Sequence, residues 1–231
     1  MKTAVIVPAG GAGTRMGGDV PKQYLMLGGI PIIVRSLLVF QEAPLVDDIF
    51  LVLPGGDVAS APQRLLSGYN LTKVKKVLSG GAHRQDSVKN AINALGADYD
   101  IVVVHDGVRP FVSQEIVRTA IEEAGSAQAV TVGVPVKDTI KLVNDAGLIE
   151  ETVNRDRLWC TQTPQAFAAT LLKKAYAAAY AQHYYATDDA GLVERLGTKV
   201  KMLMGSYDNI KITTAGDLAW GEFLLQKRHN K

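Results

Sequence analysis

The first part of the chain equipped for chemistry runs Pro8-Ala9-Gly10-Gly11-Ala12-Gly13-Thr14-Arg15-Met16-Gly17-Gly18 and is followed by Pro21-Lys22-Gln23. Glycines let a loop turn back on itself, aim several backbone N–H groups at one spot, and remove the Cβ atoms that would hold a phosphate chain away. By itself such a loop is equally readable as a tight strand-to-helix turn. Arg15 and Lys22 favour an anion site, because a planar fork and a compact point charge serve a triphosphate and are of no use to a structural turn. The spacing is not that of a Walker loop, since no Gly-Lys-Ser/Thr closes the glycines. A dinucleotide fingerprint also fails: Met16 stands where the third glycine belongs, and the second strand-like run ends in Leu53-Pro54-Gly55-Gly56 rather than an acidic residue.

A second group, His105-Asp106-Gly107-Val108-Arg109-Pro110, follows the apolar run Ile101 to Val104. Ligands of open α/β sheets collect beyond the carboxyl ends of strands, so Asp106 is expected near the glycine loop. A carboxylate beside a triphosphate needs a cation between them. Asp106 is therefore read as a Mg²⁺ ligand, with a helix-capping or turn aspartate as the bland alternative. With four histidines in all and no Cys/His cluster, zinc has nothing to bind, and His105 is read as a satisfied strand-end residue. A third group, Ser79-Gly80-Gly81-x-x-Arg84-x-x-Ser87, places Arg and Ser on one face of a first helical turn. There they could read a small base and its ribose, or form an N-cap turn with a surface Arg. Last, Asp208-Asn209-Ile210-Lys211-Ile212-Thr213, read as the end of a short strand, adds a carboxylate and a lysine; Asp208 is the weaker metal candidate.

These groups need a scaffold, and the pattern supplies one. Short β-branched runs at Thr3 to Val7, Ile49 to Leu53, Val74 to Leu78, Ile101 to Val104, Ala129 to Val134 and Val200 to Leu203 are mostly apolar on both faces, as buried parallel strands are. Helical spacing occupies Ile32 to Phe40, Arg84 to Leu95, Ser113 to Glu123, Ala166 to Ala181 and Asp188 to Leu196, and Trp159-Cys160 and the Ala/Tyr-rich stretch from Leu171 to Tyr185 are assigned to packing. The fold class that follows is α/β: a Rossmann-like, open, mostly parallel sheet with helices on both faces. Residues 135–158 break the alternation with two strand-like runs around Asn144-Asp145-Ala146-Gly147, a hairpin arm. Its open edges and apolar face are expected to pair with a second subunit, giving a homodimer; folding back on the chain's own sheet is the alternative.

Composition bounds the rest. The 231 residues, 47% hydrophobic and 21% charged, suit one domain over residues 1–231, without a membrane span or disorder. A net charge of +2 is too small for a non-specific nucleic-acid binder, so any anion site is local. Cys160 is the only cysteine, which rules out an internal disulfide; with no signal-like start, the expected location is cytoplasmic.

Taken in order, the glycine loop with Pro-Lys-Gln-Tyr, Gly-Gly-x-x-Arg-x-x-Ser-Val, His-Asp-Gly-Val-Arg-Pro, Lys-Asp-Thr, Thr-Pro-Gln, Thr-Asp-Asp and Asp-Asn-Ile-Lys-Ile-Thr resembles the 2-C-methyl-D-erythritol 4-phosphate cytidylyltransferase family over essentially the whole chain. The resemblance implies transfer of CMP from CTP to a phosphorylated polyol with Mg²⁺ or another divalent cation. It implies that Pro8, Ala9, Gly10, Gly11 and Gly13 wrap the CTP phosphates while Gly81, Arg84 and Ser87 hold cytosine and ribose. Arg15 and Lys22 match transition-state cations, Asp106 the metal-binding acid, and Gly107 with Arg109 the lining of the acceptor pocket. Arg155 and Lys211 match residues that position methylerythritol phosphate, with Thr139, Thr163 and Thr187 beside it. The arm exchanges between subunits in that family, so Thr139 and Arg155 would serve the partner's site. Gly10 and Gly107-Val108 stand where Ala and Ala-Ala are frequent, which keeps those side chains small. Alternatives from the same residues are a ribitol 5-phosphate cytidylyltransferase, a nucleotide-binding module without turnover, and, more distantly, an NAD-dependent oxidoreductase.

Overall fold

The computed structural model describes residues 1–11 and 20–229, so the expectations for Gly13 and Arg15 fall outside the described residues. In chain order the first half comprises β1 (Thr3–Pro8), β2 (Met26–Leu27), β3 (Ile30–Pro31), α1 (Ile32–Glu42), β4 (Asp48–Leu53), β5 (Val74–Ser79), α2 (Arg84–Ala94) and β6 (Ile101–Val104). The second half comprises α3 (Gln114–Ala127), β7 (Ala129–Pro135), β8 (Ile140–Val143), β9 (Ile149–Val153), β10 (Trp159–Ala168), α4 (Ala169–Ala181), α5 (Asp189–Glu194), β11 (Lys201–Met204) and α6 (Ala215–His229).

Seven strands form one sheet in the order β11-β7-β10-β6-β1-β4-β5, with β1 parallel to both β4 and β6. Because successive side chains point to opposite faces, β1 feeds two cores at once. Val5 and Val7 pack with Ile33, Leu37 and Phe40 of α1 and Val117 and Ile121 of α3. Ala4 and Ile6 pack with Val88 and Ile92 of α2 and Leu172 and Tyr176 of α4. That double burial is why the run is apolar throughout. Chain connections leave β1 toward β4 on one side while β6 closes the other, so the loops after β1 and β6 lie side by side at a topological switch point. Among the described residues no helix is long and apolar enough to cross a membrane.

Three local expectations are corrected. Trp159 to Ala168, assigned in part to packing and in part to the start of a helix, is the strand β10, antiparallel to both β6 and β7. Its Gln162-Thr163-Pro164-Gln165 segment carries no apolar alternation, and the register shifts between Gln162 and Gln165, a bulge where a sheet accepts Pro. Its helix begins only at Ala169 and ends at Ala181, leaving Tyr185 half exposed on the following loop rather than packed. Asp208 to Thr213 is a loop, not a strand end; it is anchored by the Ile212 N–H donating to Val108 O at 2.9 Å.

The arm is present as β8 and β9, a two-stranded antiparallel sheet separate from the seven-stranded one. Asn144 Oδ1 accepts from the N–H groups of Ala146 and Leu148, and Gly147 takes the left-handed φ of +77° that closes the turn. Leu142, Val143, Leu148 and Ile149 are exposed on it.

Candidate active site

Beyond the carboxyl ends of β1 and β5 the two glycine loops meet. Ala9 donates to Val52 O at 2.8 Å and Gly80 to Leu53 O at 2.7 Å, which fastens both loops to β4. A Cβ on Gly80 would lie 3.3 Å from the Gly10 Cα, and one on Gly81 would lie 2.3 Å from the Asp86 Cβ, so the glycines are needed for close approach. Ser87 Oγ accepts from the Gly81 N–H at 3.2 Å and donates to His83 O at 3.2 Å, so it holds the Gly81 turn rather than projecting freely. Gln23, buried next to Lys22, donates through Nε2 to Ala9 O at 3.0 Å and Gly11 O at 3.4 Å. This brace of the first loop carries no pattern signal beyond its adjacency to Lys22. The cleft so framed has a volume of about 410 Å³; Pro8, Gly11, Lys22, Gly81, Arg84 and Lys211 are among its lining residues.

Asp106 forms the floor. Lys211 Nζ is 2.9 Å from Oδ2, Arg109 Nε 3.3 Å from Oδ2 and Arg84 Nε 3.3 Å from Oδ1. Burial by itself would raise the Asp106 carboxyl, but the charges of Arg84, Lys211 and Arg109 outweigh it and hold the group well below the usual carboxylate range. Arg84 spans two carboxylates, its Nη2 lying 2.8 Å from Oδ2 of the buried Asp189. Burial would lower the guanidinium, yet Asp189 and Asp106 raise it and keep it charged. The Tyr176 hydroxyl donates to Asp189 Oδ1. Gln165, fully buried in β10, accepts from the Asp189 N–H at 3.1 Å and donates to Asp188 Oδ2 at 2.8 Å. Asp189 and Gln165 were missed in the sequence, where Thr-Asp-Asp and Thr-Pro-Gln were the only cues. Asn209 was missed as well: its backbone O accepts from Arg109 Nη1 at 2.9 Å and its Nδ2 donates to Thr163 O at 2.9 Å.

A second cleft of about 280 Å³ opens beside the first, lined by Arg109, Thr163 and Thr187 and sharing Arg84, Asp106 and Lys211 with it. Two ligands in these clefts would meet over Asp106. His105 behaves as read: it is fully buried, with Nε2 3.0 Å from Arg109 O and Nδ1 3.1 Å from Thr163 Oγ, and burial lowers its pKa to about 4.

Other predicted residues go elsewhere. Gly107 lines neither cleft; a Cβ there would lie 2.5 Å from Ile33 Cδ1 and 3.0 Å from the Ala9 Cβ, so it packs the β6 loop onto the β1 loop. Asp208 also lines neither cleft. Thr139 and Arg155 are exposed on the arm and line neither cleft, and Arg155 Nη1 donates to Lys137 O. Among the described residues no three His, Cys, Asp or Glu side chains converge as a metal cage.

Known proteins resemble this chain in sequence and in fold. The sequence model of the IspD family, described as 2-C-methyl-D-erythritol 4-phosphate cytidylyltransferase, matches residues 3–227. The proteins of that name from Syntrophus aciditrophicus and Geobacter metallireducens are 44% and 42% identical to this chain. The first match covers 100% of this chain and 98% of the relative, the second 99% of each. A solved structure of the Thermus thermophilus protein of that name superposes with a TM-score of 0.82 at 32% identity, covering 98% of this chain and 100% of that one. The 4-diphosphocytidyl-2C-methyl-D-erythritol synthase structure from Anaerococcus prevotii gives 0.84 at 31%, covering 97% and 98%. With full-length likeness in sequence and in fold, the chain belongs to the 2-C-methyl-D-erythritol 4-phosphate cytidylyltransferase family.

Proposed function

We propose that this chain, acting as one nucleotidyltransferase domain over residues 1–231, transfers CMP from CTP to 2-C-methyl-D-erythritol 4-phosphate. The products are 4-diphosphocytidyl-2-C-methyl-D-erythritol and pyrophosphate, within the non-mevalonate route to isoprenoid precursors. An acceptor phosphate oxygen attacks the α-phosphorus of CTP, the new P–O bond forms, and the bond to the β-phosphate bridging oxygen breaks with pyrophosphate carrying the electron pair away. The observation that carries this reading is the pair of clefts sharing Arg84, Asp106 and Lys211, an arrangement suited to forcing two anions into contact.

Repulsion between those anions is the barrier, and positioned cations lower it more than any covalent step would. The loop amides of Ala9, Gly10, Gly11 and Gly13 cradle the nucleotide phosphates. Lys22 and Arg15 neutralise charge at the pentacoordinate phosphorus, while Lys211 and Arg109 orient the acceptor phosphate with Thr187. Thr163, its hydroxyl engaged by His105 and Asp106, holds the turn that presents Asp106 and Arg109. His105 is no base here, because both of its ring nitrogens are engaged and it is buried. Asp106 is the carboxylate that lines the first cleft, so it would hold a divalent cation that takes one carboxylate and completes its shell with phosphate oxygens and water, with the phosphates drawing Lys211, now 2.9 Å from Oδ2, away from it. Bound there, Mg²⁺ would screen the triphosphate charge. A cytoplasmic homodimer completes the reading, with Thr139 and Arg155 of each arm serving the other subunit's site.

The test is CTP- and Mg²⁺-dependent pyrophosphate release with methylerythritol phosphate and ribitol 5-phosphate side by side. Turnover with the first supports the proposal; preference for ribitol phosphate replaces the acceptor. CTP binding without turnover on either leaves a regulatory module.

A further inference from the structure

The first cleft is chemically unequal along its length. Toward β6 it is bounded by Lys211 and Asp106, and Lys22, on the turn after the glycine loop, also lines it. Toward β5, the edge strand, it is walled by the turn Gly81-Ala82-His83 ahead of α2. Strands lie ~4.8 Å apart and β5 is three places from β6, so the two sides are separated by roughly 14 Å, about the reach of a nucleoside triphosphate from base to terminal phosphates.

At the β5 side the chain presents rings. His83 lines the cleft, and its imidazole meets Tyr185 edge to face, with centroids 4.9 Å apart and planes at 67°. Tyr185 is 50% exposed, so it is no core residue. Its hydroxyl donates to Asp86 Oδ1 at 3.0 Å, the Tyr180 hydroxyl donates to the same oxygen, and Asp86 Oδ2 accepts from the His83 N–H at 2.9 Å. One carboxylate thus ties both rings to the first turn of α2. The same carboxylate repels phosphate and occupies the positive end of the helix, where an anion would otherwise gather. A ligand with one polyanionic end and one flat apolar end is oriented by this contrast, with its phosphates toward Lys22 and Lys211 and its ring toward His83.

We propose that His83, braced by Tyr185, is the wall on which the base of the bound nucleotide rests, making both residues determinants of nucleotide affinity in this chain. The inference depends on the CTP-dependent reading above. Edge-to-face bracing holds the exposed imidazole in one orientation before the ligand arrives, which reduces the rotamer freedom lost on binding.

The experiment compares wild type, His83→Ala and Tyr185→Ala by titration with CTP and, separately, with inorganic tripolyphosphate, which has no base. Both substitutions are at exposed positions, and far-UV circular dichroism confirms folding. The expected result is a five- to tenfold weaker Kd for CTP, about what loss of an aromatic contact to a base produces, with tripolyphosphate affinity unchanged. In turnover the loss falls mainly on KM for CTP, because a base contact is made equally in ground and transition states. Unchanged CTP affinity in both variants overturns the inference, and so does parallel weakening of both ligands, which would mean that the rings merely hold the loop. A wild type that binds no CTP sinks the functional reading as well, so the two failures are distinguishable.

Discussion

Thr163 Oγ lies 3.1 Å from His105 Nδ1, and the same oxygen accepts the Asp106 N–H at 3.0 Å. Arg109 O, 3.0 Å from Nε2, can only accept, so the neutral imidazole carries its proton on Nε2 and Nδ1 accepts from Thr163. One hydroxyl on β10 therefore fixes the turn that presents both Asp106 and Arg109. Thr163→Val should leave a buried N–H and a buried ring nitrogen unpaired and cost about 2 to 3 kcal/mol, read as a lower urea midpoint at unchanged slope. Thr163→Ser should recover most of it.

His105 should make the fold acid-sensitive. Burial lowers its pKa from 6.5 to about 4, so below pH 6.5 the unfolded chain takes a proton that the folded chain refuses. Stability from this group is present above 6.5, falls as the pH drops, and is gone near 4, a change of about 3 kcal/mol. Urea unfolding at several pH values should show that slope in wild type and lose it in His105→Gln.

Asp106→Asn removes the negative charge that Arg84, Arg109 and Lys211 share, leaving only Asp189 to face Arg84. Three crowded cations, two of them partly desolvated, should destabilise the variant by about 3 kcal/mol at pH 7. Because the folded carboxyl is held below its unfolded pKa, its contribution is present above about pH 4 and fades below it. The variant's stability should accordingly fall less steeply than wild type under strong acid, which a thermal-melt series would reveal.

Lys22→Ala should lower kcat for pyrophosphate release by ~10² to 10³, the cost of losing one preorganised charge at a developing anion, and Arg15→Ala should do the same. A variant within about threefold of wild type in kcat would remove that residue from the mechanism.

The arm makes a prediction about mixtures. Lys22→Ala disables the cleft and Arg155→Ala disables the arm, so each variant alone is inactive if the arm completes the site. Where arms exchange, mixed dimers regain one intact site. Co-refolding equal amounts should restore about a quarter of wild-type activity, since half the dimers are mixed and each has one working site of two. No recovery would confine each arm to its own chain.

Much of this was legible because it is local. Buried parallel strands must be apolar on both faces, so β1, β4, β6 and β7 announce themselves as β-branched runs, and the loops after them carry the Gly, Asp, Arg and Lys residues that a phosphate site uses. Strand β10 was hidden because Gln162 to Gln165 spends its side chains on neighbours and not on an apolar face: Gln165 pairs with Thr131 and Asp188, and Thr163 with His105 and Asp106. No window of sequence contains those partners.

The chain by itself determined which residue types follow which strands, since strand burial, glycine turns and helix caps are set over a few neighbouring positions. Only the tertiary structure decided that Lys211, on a loop near the end of the chain, comes within 2.9 Å of Asp106, and that Asp189 steadies Arg84 from beneath. Sheet order and long-range packing bring those loops together, and such pairings arise from the whole folded topology, leaving no periodic trace in the order of residues.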